Sequence, residues 1–121
     1  MQVNGRLRVL YVESSQYDAD LAHKYLDSEF DLVTVSNALT ATHLMSAEHF
    51  DVVLTNYKLK RVTGLEVNAF ASERNIPCII LAAYKWLAEL QCDRGCQVVS
   101  KRELQSLPDI VRASAEGAIN A

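Results

Sequence analysis

At 121 residues, with 50% apolar and 22% charged side chains, the chain is long enough to bury one core without disulfide or metal staples and has the composition of an ordinary globular domain. A net charge of −3 gives no reason to expect nucleic acid as a partner. The longest apolar run, Cys78 to Tyr84, is far too short to cross a bilayer, and "MQVNGRLRVLYVESS" at the start lacks the apolar core of a secretion signal, so the expected setting is cytoplasmic, away from any membrane. Three cysteines, Cys78, Cys92 and Cys96, then suit a reducing compartment as buried thiols, with Cys92 and Cys96 acting as small apolar residues at a helix end. No second Cys or His pair lies near those two, so no zinc site is expected.

Short β-branched runs alternate with longer mixed segments along the whole chain, with no repeat, linker or low-complexity tract between them. "LRVLYV" (7–12) is the first strand candidate. "SQYDADLAHKYLDSEF" follows as a helix with Tyr17, Leu21, Tyr25 and Leu26 on one stripe, and Ser15 with Asp18 has the spacing of a capping box. "DLVTV" (31–35) is the second strand, and Asn37 is placed to cap the helix "ALTATHLMSAEHF". "DVVLT" (51–55) is the third, ending beside Asn56, and Gly64 opens the helix "LEVNAFASERN". Pro77 stands just before the fourth strand, "CIILA" (78–82), where a helix cannot continue. "YKWLAELQC" is a short fourth helix, and "QVVS" (97–100) the fifth strand. In "SKRELQSLPDIVRASAEGAI", Leu104, Leu107, Ile110 and Val111 share a face, Ser100 and Glu103 repeat the capping-box spacing, and Pro108 is expected to bend or interrupt the helix. The end, "SAEGAINA", reads as a helix running out toward a linker.

The strand candidates are four to six residues long and do not alternate cleanly, as expected for strands buried on both faces. Five of them alternating with five helices predict a parallel sheet covered by helices on both sides, a single α/β domain spanning 1–121. In such sheets function gathers at the carboxyl ends of the strands, near the switch in strand order. The residues at those ends are Glu13, Ser14, Asn56, Ala82 and Lys101.

These positions, with "VLYVESS", "DVVLTNYKL" followed by "TGLEV", "IPCIILAA" and "VVSK" around them, resemble a response-regulator receiver domain over about residues 6–118. The resemblance implies a flavodoxin-like five-stranded sheet of order 2-1-3-4-5 and a place in bacterial two-component (phosphorelay) signalling. It also implies a chemistry in which a magnesium-bound aspartate takes a phosphoryl group from a partner histidine kinase. Here the family's pair of acids after the first strand reads Glu13-Ser14, its acceptor aspartate is Asn56, its hydroxyl after the fourth strand is Ala82, and its aromatic switch residue is Val98. Its two prolines are Lys60 and Arg102, and only Lys101 and Gly64 are kept.

An amide is a poor nucleophile, and magnesium needs hard, preferably anionic oxygens. With Glu13 alone facing Lys101, and with Lys58, Lys60 and Lys85 nearby in sequence, the pocket loses its negative charge. Each charge lost at ~4 Å is worth on the order of 4 kcal/mol at an effective dielectric of 20. The expectation is therefore a degenerate pseudo-receiver, not an enzyme, with no metal or other cofactor, in which Glu13 and Lys101 form an ion pair. The Lys101–Arg102 bond is expected trans, with Lys101 displaced unless the loop compensates.

Such a domain would work by protein–protein interaction, with a partner of its signalling pathway or with itself, through the surface of the fourth helix, fifth strand and fifth helix. Tyr84, Trp86, Leu87 and Leu90 cover more of the fourth helix than a core-facing stripe needs, although Trp86 could instead sink into the core. Two alternatives stay open: an atypical receiver still regulated by phosphoryl transfer, and a small anion bound at the basic mouth "KLKR" (58–61). His23, His43 and His49 fall away from the strand ends and read as surface residues.

Overall fold

The β-branched runs do form strands, the central ones covered on both faces and the edge strands only in part. In the computed structural model, which describes residues 5–92 and 96–120 with side chains to residue 117, they are β1 (Arg8–Val12), β2 (Asp31–Val35), β3 (Val52–Asn56), β4 (Cys78–Ala82) and β5 (Gln97–Ser100). All pair in parallel, in the order β2-β1-β3-β4-β5. Between them lie α1 (Gln16–Leu26), α2 (Ala38–Ala47), α3 (Gly64–Glu73) and α4 (Lys85–Gln91), and after β5 a 3-10 segment (Lys101–Ser106) leads into α5 (Leu107–Asn120). The last residues of "SAEGAINA" lie beyond the described side chains.

Period-two alternation sorts the strand residues to two cores. Val9, Tyr11, Leu54, Ile79 and Leu81 face α1 and α5, where they meet Leu26, Leu107 and Val111. Leu10, Val12 and Val53 face α2 and α3, against Met45, Val67 and Ala71. Under α4 a smaller cluster joins Ile80, Ala82, Ala88 and Val98. Every residue of β3 and β4 is buried. At roughly 1.5–3 kcal/mol for each large apolar side chain removed from water, these two strands anchor the fold.

The α1 stripe differs from expectation. Tyr17 is 76% exposed and Tyr25 38%, while Ala19, Ala22 and Leu26 face the sheet. Ser15 Oγ accepts the Asp18 N–H at 3.3 Å and fixes the start of the helix. Two alanines on the inner stripe then let it lie close to the strands, where two phenols would hold it off. Asn37 caps α2 as expected, its Oδ1 accepting the Thr40 N–H at 2.8 Å.

The final helix breaks before Pro108 rather than at it. Glu103 leaves helical geometry, and Pro108 sits in the first turn of α5, where its missing N–H has no partner to lose. Ser100 Oγ accepts from the Arg102 N–H, so the second capping box is not made. The largest departure concerns the cysteines. Cys92 and Cys96 are joined in a disulfide with Cα atoms 6.1 Å apart, a distance that sequence spacing does not specify. Cys78 alone is a free, buried thiol, as the sequence suggested.

Candidate functional site

Parallel strands deliver their last side chains to one edge, and there the sheet brings together Glu13, Ser14, Asn56, Lys58, Ala82 and Lys101. They line one cavity of about 810 Å³ with Asp18, Lys60, Tyr84 and Leu87 among its other walls. Glu13 follows β1 and is tied to β2 through its N–H, which donates to the Val35 carbonyl at 2.9 Å. Asn56 ends β3. Gly64, the first residue of α3, donates its N–H to the Tyr57 carbonyl at 2.7 Å. A methyl group at Gly64 would meet the Asn56 carbonyl oxygen at 2.5 Å, so only glycine allows α3 to seat against the end of β3.

The Glu13 side chain is fully buried, and four donors converge on it. Its Oε1 accepts from the Tyr11 hydroxyl at 3.2 Å and from Lys101 Nζ at 3.1 Å. Its Oε2 accepts from the Ser15 N–H and from Asn56 Nδ2, both at 3.2 Å. A buried carboxylate is tolerable only when its lone pairs and its charge are met in this way. Asn56 Nδ2 also donates to the Lys58 carbonyl at 2.8 Å, so one amide ties Glu13 to the loop after β3. Burial, reinforced by the neighbouring Glu13 and Asp18 charges, pushes the Tyr11 phenol far above its usual range, which keeps it a hydrogen-bond donor.

The predicted Glu13–Lys101 pair is present but is not alone. Lys101 Nζ also lies 2.9 Å from Asp18 Oδ2, so the lysine bridges two carboxylates. The pocket interior therefore carries a formal charge of about −1 rather than the expected zero, before the rim lysines are counted. Lys101 keeps its place although the chain continues into Arg102, and among the described residues there is no cis peptide bond. Lys58 and Lys60 line the rim as expected. Lys85 does not, and turns instead to a neighbouring depression with Tyr84, Trp86 and Arg102.

Ala82 and Val98 are buried in the cluster beneath α4, where they offer neither a hydroxyl nor a ring. The predicted outer surface is exposed: Trp86 is 62% accessible and Leu90 72%, with Tyr84 and Leu87 also open, so Trp86 is not a core residue. His43 and His49 are exposed, and His23 is half-buried, its ring nitrogens against Asp27 and Thr34.

Sequence reasoning missed Tyr11 and Asp18. Tyr11 stands two residues before Glu13 on the same strand face, which could have suggested the contact. Asp18 has the spacing of a helix-start residue, and as an acid in the first turn of α1 it also lies on the cavity side. The residues present do not fit magnesium. The roughly four lone-pair sites of Glu13 are taken by four donors, an ammonium stands against it, and Asn56 turns its amide nitrogen inward.

No protein-family model matches the sequence, and no curated protein matches it. Solved structures do. The signal receiver domain of an HD domain-containing protein from Pseudomonas fluorescens Pf-5 superposes with a TM-score of 0.82 at 18% identity, covering 96% of this chain and 99% of that one. A response regulator receiver protein from Sinorhizobium medicae WSM419 gives 0.82 at 17% identity, over 96% and 99% of the two chains. A CheY-like receiver domain from Methylobacillus flagellatus gives 0.73 at 22% identity, over 91% and 99%. At such identities the likeness is one of fold, and the chain has the receiver-domain fold.

Proposed function

We propose that this chain is a receiver-type module of a two-component signalling pathway that takes no phosphoryl group, catalyses no reaction of its own, and acts by binding another protein. The observation that carries this reading is the hydrogen bonding of Asn56. The side chain that the receiver fold would use as acceptor is an amide whose nitrogen is engaged by Glu13 and the Lys58 carbonyl. It offers no carboxylate to phosphorus, and the lysine at the end of β5 is held by Glu13 and Asp18. The surface that suits recognition best is the outer side of α4, where Tyr84, Trp86, Leu87 and Leu90 expose an aromatic-aliphatic group of the kind that anchors interfaces.

An amide NMR titration with magnesium and beryllofluoride tests this. The expected result is a silent spectrum up to tens of millimolar magnesium. Shifts centred on Glu13, Asn56 and Lys101 would replace the reading with an atypical receiver. Asn56→Asp sharpens the test, because it sets a second carboxylate against Glu13 without the oxygen array a metal needs. That variant is expected to lose stability and still to ignore beryllofluoride.

A second reading has its own support. Lys58 and Lys60 stand exposed at the cavity rim and take part in none of the described ion pairs, which suits a small anionic ligand. Titration with inorganic phosphate, followed at the Lys58 and Lys60 amides, separates it from the first.

A further inference from the structure

The disulfide lies where α4 is least supported. The helix has seven residues, no side chain caps its start, and Ala88 is its one buried residue. So short a helix has little stability of its own. Cys92 caps its C-terminus, and Cys96 directly precedes β5 while packing against the cluster formed by Ile80, Ala82, Ala88 and Val98. The bond therefore ties the end of α4 to the start of an edge strand.

Both cysteines are half-buried, so a reductant can reach them. Each sulfur also has a donor: the Cys96 N–H lies 3.1 Å from Cys92 Sγ, and Asn68 Nδ2 lies 3.5 Å from Cys96 Sγ. Whichever sulfur leaves as a thiolate finds a hydrogen bond waiting, which favours exchange. Cys78 does not compete, since it is buried and desolvation pushes its thiol up to about 12.

We propose that Cys92–Cys96 is a reversible redox site whose state sets how firmly α4, and with it Tyr84, Trp86, Leu87 and Leu90, is held on the sheet. The reaction is thiol–disulfide exchange with a dithiol. One thiolate of the dithiol attacks a sulfur of the bond to give a mixed disulfide and releases the other cysteine, which takes up a proton. The second thiol of the reductant then displaces the remaining cysteine. Two electrons pass to the protein, which gains two thiols, and the reductant leaves as its own disulfide. The consequence for partner binding rests on the proposed function; the thiol chemistry and the loosening of α4 do not, so the two can fail separately.

The test uses the full chain in dithiothreitol or in oxidised glutathione, with native alkylation read by intact mass and hydrogen exchange read by peptide. Oxidised protein should take no label and reduced protein two, with Cys78 reacting only in denaturant. On reduction, exchange across α4 should quicken by up to about 30-fold, the constraint that so small a closed loop supplies, while β1 and β3, which open only with the whole sheet, should quicken by no more than that and remain the slowest to exchange. The Cys92→Ser/Cys96→Ser double variant should exchange like the reduced protein in either buffer. Free Cys92 and Cys96 thiols in glutathione-treated protein would overturn the proposal. So would α4 exchange that is equal in both states, or a double variant whose α4 still responds to dithiothreitol.

Discussion

Glu13 gathers four hydrogen bonds inside the fold, one of them from its countercharge, while across the same cavity Tyr84 and Leu87 stand open beside a helix that buries one alanine. The first region is locked because every polar group in it is another's partner; removing any one leaves a buried group unsatisfied. The second is held by a single buried alanine, Ala88, packed on Ile80, Ala82 and Val98. The contrast teaches that one cavity at the strand ends can have a closed wall and an open one, the amide of Asn56 and the ammonium of Lys101 both serving one buried carboxylate while the α4 side chains face solvent. Variation that touches the network is felt by the whole domain. Variation on α4 is felt by whatever meets it.

The sharpest way to break this comparison is at Lys101. Lys101→Met leaves the buried Glu13 carboxylate without its cation and is expected to lower stability by about 3–5 kcal/mol, read from urea unfolding. A loss below 1 kcal/mol would mean that the network does not lock this region. Gly64→Ala forces a methyl group onto the Asn56 carbonyl and is expected to cost about 1–3 kcal/mol by the same measurement.

Alkaline pH probes the core under α2 and α3, at the opposite ends of the strands from the network. Below pH 9 the Cys78 thiol is protonated whether the chain is folded or not. Between its ordinary value of 9.0 and its buried value of about 12, the unfolded chain alone gives up the proton. Stability should therefore fall as pH rises, by about 1.4 kcal/mol per unit from this group, and Cys78→Ala should show the shallower slope. The smallest expected effect on folding is at the other pole: Trp86→Ala should change stability by no more than about 0.5 kcal/mol, while weakening binding to a partner or to a second copy, measured by sedimentation or by capture with that partner.

The strands were legible because parallel strands covered on both faces leave dense β-branched runs, and "DVVLT" and "CIILA" are such runs. Caps were legible where one side chain answers one N–H, as at Ser15 and Asn37. The orientation of α1 was not: tyrosine counts as apolar in a periodic pattern yet lives comfortably on a surface, and the real stripe is made of alanines that carry little signal. Within the site, Glu13 and Lys101 could be paired from the ends of β1 and β5. Tyr11 was within reach of the same argument, two residues before Glu13 on one strand face, but Asp18 was not, because its role depends on how α1 starts. The disulfide escaped for a related reason. Four residues of spacing say nothing about whether a helix end and a strand start turn back on one another.

Trp86 is the sole tryptophan of the chain, and it sits in the open on α4. The natural light of this protein therefore comes largely from its shortest α-helix rather than from its core. A denaturation curve followed by tryptophan emission would begin from an indole already in water and would miss the collapse of the sheet that circular dichroism records. The same accident makes the fluorophore an observer of the proposed binding face: any molecule that covers α4 would dim or blue-shift it, with no label attached.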